Sequence, residues 1–215
     1  AMSRFITFEG LDGSGKSTHL RRVAAQLAAR GIPHLVTHEP GGPALGEALR
    51  GLLKGERYGV CDGFVELLLV FASRRQHLRT VIEPALARGE TVLCDRFTDS
   101  TFAYQGAGRG VPNESIAALD ELATGGRRPD RTLLFDLSPE AARERGAGRR
   151  RRRGERLDRF DAEQLAFYER VRAGFLALAR TEPERFRVLD ASGPAGATAA
   201  LVEAALADLW PGGGE

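Results

Sequence analysis

A phosphate-binding pattern occupies residues 10–17, which read Gly-Leu-Asp-Gly-Ser-Gly-Lys-Ser and match G-x-x-x-x-G-K-[ST]. The backbone N–H groups of such a loop surround a phosphate at a helix N-terminus, so the loop must follow a strand and precede a helix. The apolar stretch 5–8 and the helical pattern after residue 17 supply that context, which disfavours an ordinary glycine-rich turn. The sequence therefore predicts binding of a nucleoside triphosphate. The residues expected to contact it are Gly10, Leu11, Asp12, Gly13, Ser14, Gly15, Lys16, Ser17 and Thr18.

Lysine is rare in this chain, because 29 of its 31 basic residues are arginine and lysine occurs only at positions 16 and 54. The loop has nevertheless kept a lysine at the position where a compact ammonium must reach between the β- and γ-phosphates. Lys16 is therefore predicted to be catalytic.

Two oxygen-bearing side chains near this loop could hold Mg²⁺. Ser17 supplies the hydroxyl of the motif, and Asp95 ends a predicted strand at 91–94. A helix cap or an ion pair with Arg96 is the structural alternative for Asp95. We favour the metal site, because both side chains are expected at the same edge of the sheet.

Residues 95–106 form a second polar segment after a strand. Arg96 is suited to clamp an anion, and Thr101, Tyr104 and Gln105 can form hydrogen bonds with a base or sugar. The turn 39–42, which follows another predicted strand, makes Glu39 and Pro40 candidates for the same acceptor pocket, although a simple turn would have the same composition.

The third segment is a run of five arginines at 149–153. Such runs are usually solvated or bind nucleic acid, and five in a row cannot form one amphipathic face. Flanking glycines, including Gly146 and Gly148, would permit a mobile flap that brings one or two arginines over a transferring phosphoryl group. Arg149 and Arg153 are candidates, and the sequence does not choose among them and their neighbours.

Alternating strand and helix signals must position these segments. Short apolar strands are predicted at 4–8, 33–38, 91–94, 132–135 and 186–189. Helices are predicted at 17–30, 44–54, 64–87 with a bend or break near Pro84, 98–107, 113–124, 157–180 and 195–209. This order favours an α/β fold, a five-stranded parallel sheet with helices on both faces. The polar segments that follow strands should share the rim at the carboxyl ends of the strands.

Bulk composition fits one soluble domain over 1–215 with a lid at about 143–159. The chain has 215 residues, of which 42% are hydrophobic and 28% charged, with a net charge of +2. This near balance does not require nucleic acid or a membrane as partner. Two cysteines without metal spacing and no apolar run of 18 residues lead us to expect a cytoplasmic enzyme.

With these segments identified, the chain resembles the bacterial thymidylate kinases. The resemblance runs from residue 4 to about 190, and its most specific part is the stretch from Asp95-Arg96 to Tyr104-Gln105-Gly106. The other matching segments are 8–18, Glu-Pro-Gly-Gly at 39–42, Arg74 with Gln76 before 83–86, 128–130 and 157–160.

The resemblance implies ATP-dependent phosphorylation of dTMP to dTDP with Mg²⁺, by a homodimer joined through apolar helix faces such as that around 67–71. It implies that Asp12 lies near the acceptor phosphate and that Arg74 reads the thymine edge. Arg96 would clamp the acceptor phosphate. Tyr104 would disfavour a ribose 2′-hydroxyl, while Thr101 and Gln105 would also contact the nucleoside.

Position 13 carries an arginine in some members of that family, and here it is glycine. The resemblance then implies that the catalytic arginine comes from the lid. The aromatic residue expected four positions before Arg74 is Val70, and Phe71 stands one place further on, so the residue that stacks on the base stays open.

Other functions are less well supported. Another nucleotide kinase would differ only in its acceptor. A GTPase switch would need an N-K-x-D motif, but the single asparagine, Asn113, is followed by glutamate. A nucleic-acid-binding module would use the arginine run and show salt-sensitive binding.

Overall fold

The computed structural model describes residues 3–54, 62–152 and 161–210, without the side chains of 54, 146–152 and 161–164. Its centre is a parallel sheet with strand order β2-β3-β1-β4-β5. The strands are β1 (Phe5–Gly10), β2 (His34–His38), β3 (Thr91–Asp95), β4 (Arg131–Asp136) and β5 (Phe186–Asp190). The predicted five-stranded parallel sheet is confirmed. No helix in these ranges is long and apolar enough to cross a membrane.

Helices connect the strands. They are α1 (Lys16–Ala29), α2 (Ala44–Lys54), α3 (Gly63–His77), α4 (Glu83–Ala87), α5 (Thr98–Thr101), α6 (Asn113–Thr124), α7 (Pro139–Arg152), α8 (Asp161–Thr181) and α9 (Ala195–Leu206). Asp62 caps α3, because its Oδ1 accepts from the N–H groups of Phe64 and Val65 at 2.8 and 3.4 Å.

Two predicted helices contain wide turns that the sequence did not indicate. The helix predicted at 64–87 changes to a π-helical segment, π1 (Leu78–Ile82), directly before α4, and the one at 98–107 continues after α5 as π2 (Phe102–Gly108). At π1 the cause is Pro84, which has no N–H group and whose ring crowds the carbonyl four residues earlier. π2 carries Tyr104 and Gln105, and such widened turns are frequent at functional sites.

The region predicted as a lid is partly helical. Gly146 and Gly148, expected to flank a flap, lie inside α7, which runs to Arg152. Residues 153–160, including Arg153 and the predicted start of the next helix at 157, lie outside the described residues, and so does the side chain of Arg149.

Alternating residues of the central strands are buried on opposite faces of the sheet. Ile6, Phe8 and Leu93 pack with apolar residues of α1 and α9. Phe5, Val92 and Cys94 pack instead with residues of π1 and α4. This two-sided burial explains why the strands are almost uniformly apolar, and it fixes which strand ends face the same rim.

The carboxyl ends of the strands lie together at one edge. Asp95 of β3 is paired in register with Phe8 of β1 and His38 of β2, and Asp136 with Asp190. The loops that follow β1, β2 and β3 meet there, as predicted. Asp136 lies at the same edge but is held by Arg172, through two bonds of 2.7 and 2.8 Å.

Candidate active site

The ammonium of Lys16 is held inside the loop between β1 and α1. Its Nζ donates to the carbonyl oxygens of Gly10 and Leu11 at 3.0 and 2.9 Å and lies 3.9 Å from the Asp12 carboxylate. Lys16 is only 5% exposed. Burial lowers the pKa of its ammonium to about 8, Arg96 adds to this, and the nearby carboxylates oppose it.

A cleft of about 700 Å³ opens beside this loop. It is bounded by the loop, by the end of β2 with the turn after it, and by Asp95 and Arg96. Of the residues predicted to bind ATP, six line it: Asp12, Gly13, Gly15, Lys16, Ser17 and Thr18. Gly10, Leu11 and Ser14 lie behind this surface, where Ser14 is buried and the other two hold Lys16.

The two predicted metal ligands are in contact. Ser17 Oγ donates to Asp95 Oδ2 at 2.6 Å, and both residues line the cleft. Mg²⁺ is usually held by one or two protein oxygens, with phosphate and water oxygens completing its coordination, so a hydroxyl and a carboxylate beside a phosphate loop fit this ion.

Arg96 stands between the cleft and a smaller pocket and lines both. Among the described residues it is the one non-glycine residue with a positive φ, 75°. Its Nη2 donates to Asp12 Oδ1 at 2.8 Å and to the Tyr104 hydroxyl at 3.1 Å, and its Nη1 donates to Ser100 Oγ at 2.9 Å. A strained backbone is thus combined with a guanidinium fixed at three points.

Glu9 is a buried residue that holds the segment directly after Arg96 in place. Its Oε1 accepts from the N–H group of Phe97 at 2.7 Å and its Oε2 from Ser100 Oγ at 2.5 Å, and the residue is fully buried. Burial and the nearby Asp99 raise the pKa of Glu9 to about 8, against the lowering effects of Arg96 and the two hydrogen bonds. The carboxyl therefore fixes the backbone on the C-terminal side of Arg96.

The smaller pocket, about 250 Å³, adjoins the cleft. It is lined by all seven residues predicted to bind the acceptor, and it shares four residues with the cleft. The predicted residues that line it are Glu39, Pro40, Arg74, Arg96, Thr101, Tyr104 and Gln105, and the shared residues are Asp12, Glu39, Pro40 and Arg96.

Arg74 is the buried cation of the small pocket. Its Nε donates to Glu39 Oε2 at 2.7 Å and its Nη2 to Thr101 Oγ1 at 3.0 Å, while Nη1 is buried with no hydrogen-bond partner among the described residues. The guanidinium lies 4.9 Å from the ring centre of Phe71 and 5.1 Å from that of Phe97. Arg74 therefore lines the small pocket with one guanidinium nitrogen that has no partner among the described residues.

The other polar residues complete this pocket. Burial raises the pKa of Tyr104 to about 12, so its hydroxyl keeps its proton while it accepts from Arg96. Gln105 Nε2 lies 3.5 Å from Glu66 Oε2. Val70 and Phe97 line the pocket, whereas Phe71 is buried behind Arg74 and does not. Among the described residues, Phe97 and Tyr104 are thus the aromatic residues that line this pocket.

A family model described as thymidylate kinase matches residues 8–202. A protein named thymidylate kinase from Pseudomonas syringae pv. syringae (strain B728a) is 51% identical over 96% of this chain and 94% of its own length. Those from Desulfosudis oleivorans and Alkalilimnicola ehrlichii are 51% and 48% identical, over 94% and 99% of this chain and 95% and 97% of their own lengths.

The chain belongs to the thymidylate kinase family. The family and the kinase class predicted from the sequence are thereby confirmed. In this member, Asp12 and Arg96 line both the cleft and the small pocket.

The sequence analysis did not identify the buried residues that form hydrogen bonds with the residues lining the site. Glu9 directly precedes the loop and Ser100 lies inside the predicted acceptor segment, so their positions on the rim were available as signals. His77 has no such signal, because its partner Glu39 is 38 residues away.

The raised pKa of Glu9 predicts how stability depends on pH. The folded state binds this proton more tightly than the unfolded chain, whose glutamate has the ordinary value of 4.5. The free energy of unfolding should therefore carry a contribution that is full below pH 4.5 and is lost as the pH rises towards about 8. Urea unfolding between pH 5 and 9 measures it.

Glu9→Gln is the matched control, because its neutral side chain cannot make the free energy of unfolding depend on pH in this way. The difference in stability between variant and wild type should shift in favour of the variant as the pH rises. Parallel profiles for the two proteins would contradict the assignment.

Proposed function

We propose that this protein transfers the γ-phosphoryl group of ATP to dTMP, giving ADP and dTDP for dTTP synthesis. The observation that carries the proposal is the position of Arg96, which lines both the cleft beside the phosphate loop and the pocket around Arg74. Family membership supports the same reaction. ATP is assigned to the cleft and the acceptor nucleotide to the small pocket.

The acceptor base would be recognised by Arg74. Its Nη1 is the free donor of the pocket, and a carbonyl oxygen on the base edge can accept from it, whereas an amino group at that position cannot. Phe97 would contact the base. Thr101 and Gln105 would bound the nucleoside, and Tyr104 would lie against the sugar, where it disfavours a 2′-hydroxyl.

Transfer requires no strong general base. An oxygen of the dTMP phosphate attacks the γ-phosphorus while the bond to the β,γ-bridging oxygen of ATP breaks, and ADP leaves with that electron pair. Lys16 and Arg96 would neutralise negative charge on the triphosphate of ATP and on the phosphate of dTMP. Asp12, which contacts the Arg96 guanidinium and lies 3.9 Å from Lys16, would offset the repulsion between the two cations.

Ser17 and Asp95 would hold Mg²⁺, which when bound offsets negative charge on the ATP phosphates. The short bond between their side chains places both oxygens on the same wall of the cleft.

The missing arginine at position 13 would be replaced from the lid at about 143–159. Gly13 has φ +93°, and a Cβ there would lie 2.6 Å from the carbonyl oxygen of Ala142 in α7. A side chain is thus excluded at 13 by the helix that leads to the arginine run. Arg149 and Arg153 remain the candidates.

We also propose that the protein is a cytoplasmic homodimer that acts as a single domain. Of the predicted contact face at 67–71, Leu67, Val70 and Phe71 are buried in the chain's own core. Leu68 of that face is exposed, and with Phe64 and Val65, each about 45% exposed, it forms the exposed apolar face of α3 that the partner would cover.

Acceptor preference tests the function. We expect kcat/KM for dTMP with ATP to exceed the values for dUMP, dCMP and thymidine, measured by ADP release. Thymidine lacks the phosphate that Arg96 would bind, and dCMP carries an amino group where Arg74 needs a carbonyl oxygen. Equal turnover of all four acceptors would refute the assignment.

Lys16→Ala tests the phosphate loop. We expect kcat to fall about 100- to 1,000-fold, because one preorganised donor to the developing charge is lost. Arg30→Ala, which removes an exposed cation at the far end of α1, is the control and should retain the wild-type rate.

The pKa of Lys16 adds a second measurement. Since triphosphate binding favours the charged ammonium, the affinity of the wild type for ATP should weaken as the pH rises above about 8. The Lys16→Ala variant should lack this decline, and an identical pH profile in both proteins would argue against a contact between Lys16 and phosphate.

Leu68→Asp tests the dimer. A buried unpaired carboxylate is costly, so light scattering after size exclusion should give a monomer mass for this variant and a dimer mass for the wild type. Leu122→Asp is the control, since Leu122 is 77% exposed on α6 and outside this face. A wild-type monomer, or a dimer that survives Leu68→Asp, would rule out this interface.

A further inference from the structure

His77 is a fully buried residue that lines neither the cleft nor the small pocket. It is the last residue of α3, and both of its ring nitrogens have partners. Nδ1 lies 2.9 Å from Glu39 Oε1, and Nε2 lies 2.6 Å from Thr37 Oγ1. The ring therefore joins the end of β2 to the turn that borders the acceptor pocket.

The chemistry of these partners determines where the proton lies. The pKa of Glu39 is lowered, because Arg74 and His77 together outweigh the effect of burial. An ionised carboxylate can only accept, so His77 Nδ1 must donate to it. The Thr37 hydroxyl can either donate to Nε2 or accept from it, so the contact at Nε2 is compatible with a proton on Nδ1.

Glu39 transmits this constraint to Arg74. One carboxylate oxygen accepts from His77 and the other from Arg74 Nε, so the carboxylate cannot turn without losing a buried hydrogen bond. Arg74 is held in turn by Thr101 and by the flanking aromatic rings. The direction of its free Nη1 is therefore set by a chain of contacts that begins at His77.

The turn after β2 packs directly on the imidazole. Gly42 has φ +86°, and a Cβ there would lie 2.6 Å from Cδ2 of His77. The neighbouring Gly41 donates its N–H group to Ser73 Oγ at 3.3 Å. Three residues on one side of α3, Ser73, Arg74 and His77, thus hold the turn and the carboxylate together.

We propose that His77 is a positioning residue for the acceptor pocket. By donating to Glu39 it fixes the direction of Arg74 Nη1, and it thereby contributes to the preference for a base with a carbonyl oxygen over one with an amino group. The inference rests on the proposed function, because that function assigns Arg74 to the base.

The test compares His77→Leu with His77→Asn. Leucine has no donor, whereas the side-chain amide nitrogen of asparagine can occupy the place of Nδ1 and donate to Glu39. For His77→Leu we expect KM for dTMP to rise at least about tenfold and the kcat/KM ratio of dTMP to dCMP to fall about tenfold, because a charged hydrogen bond is lost. Its kcat and its KM for ATP should stay within about twofold, and His77→Asn should recover most of the lost discrimination.

Ile82→Ala separates positioning from stability. Ile82 is fully buried in π1, so this variant lowers the urea midpoint without touching Glu39. It should leave the ratio of dTMP to dCMP unchanged. The proposal is overturned if His77→Leu changes only the urea midpoint, as Ile82→Ala does, or if His77→Asn discriminates no better than His77→Leu.

A measurement on the wild type covers the case in which His77→Leu does not fold. Long-range ¹H–¹⁵N correlation spectra of the complex with dTMP should show a proton on Nδ1 of His77. A ring with its only proton on Nε2 would overturn the proposal. A wild type without preference for dTMP refutes the proposed function itself, whereas a selective wild type with an unaffected His77→Leu variant refutes only the positioning role.

Discussion

Buried positive charge is the constraint on which the rest of this structure depends. Lys16, Arg74 and Arg96 lie at one edge of the sheet, and the first two are 5% and 2% exposed. A buried cation without partners is costly, but a cation fully neutralised by a carboxylate would have little left to offer a phosphate or a base. The structure meets both demands by leaving selected donors free. Lys16 rests on two neutral carbonyl oxygens, and Arg74 uses two of its nitrogens on protein groups while the third has no hydrogen-bond partner among the described residues.

The two buried glutamates support the arginines in different ways. Glu39 contacts the guanidinium of Arg74 directly and is also bonded by His77, and its pKa is lowered because these two donors outweigh burial. Glu9 has no bond to the guanidinium of Arg96. It holds the N–H group of Phe97 and the hydroxyl of Ser100, and with Asp99 close by its pKa is raised. Glu39 therefore acts as a counterion, while Glu9 fixes the backbone that keeps Arg96 at φ 75°.

How far the sequence could predict this arrangement depends on how local each signal is. The phosphate loop and the strand ends carry their information within a few residues, so the parallel sheet and the rim containing Lys16, Asp95 and Arg96 were predicted correctly. The π-helical segments were not, because the wide turn before Pro84 and the one carrying Tyr104 have the same apolar spacing as an ordinary helix. The bond between His77 and Glu39 depends on packing α3 against the turn after β2, and no periodicity within either segment reveals it.

The packing of α7 against the phosphate loop restricts where the proposed lid can begin. Gly13 abuts the carbonyl oxygen of Ala142, so the phosphate loop and the first turns of α7 form one packed unit. Arg145 of that helix is already bonded to the carbonyl oxygens of Ala191 and Ser192 at 2.7 and 2.9 Å. Arg149 begins about 10 Å further along the helix axis than Ala142, at 1.5 Å per residue. An arginine side chain spans such a distance only in part. Along α7, the backbone of Arg149 therefore lies farther from the contact with Gly13 than an arginine side chain can reach.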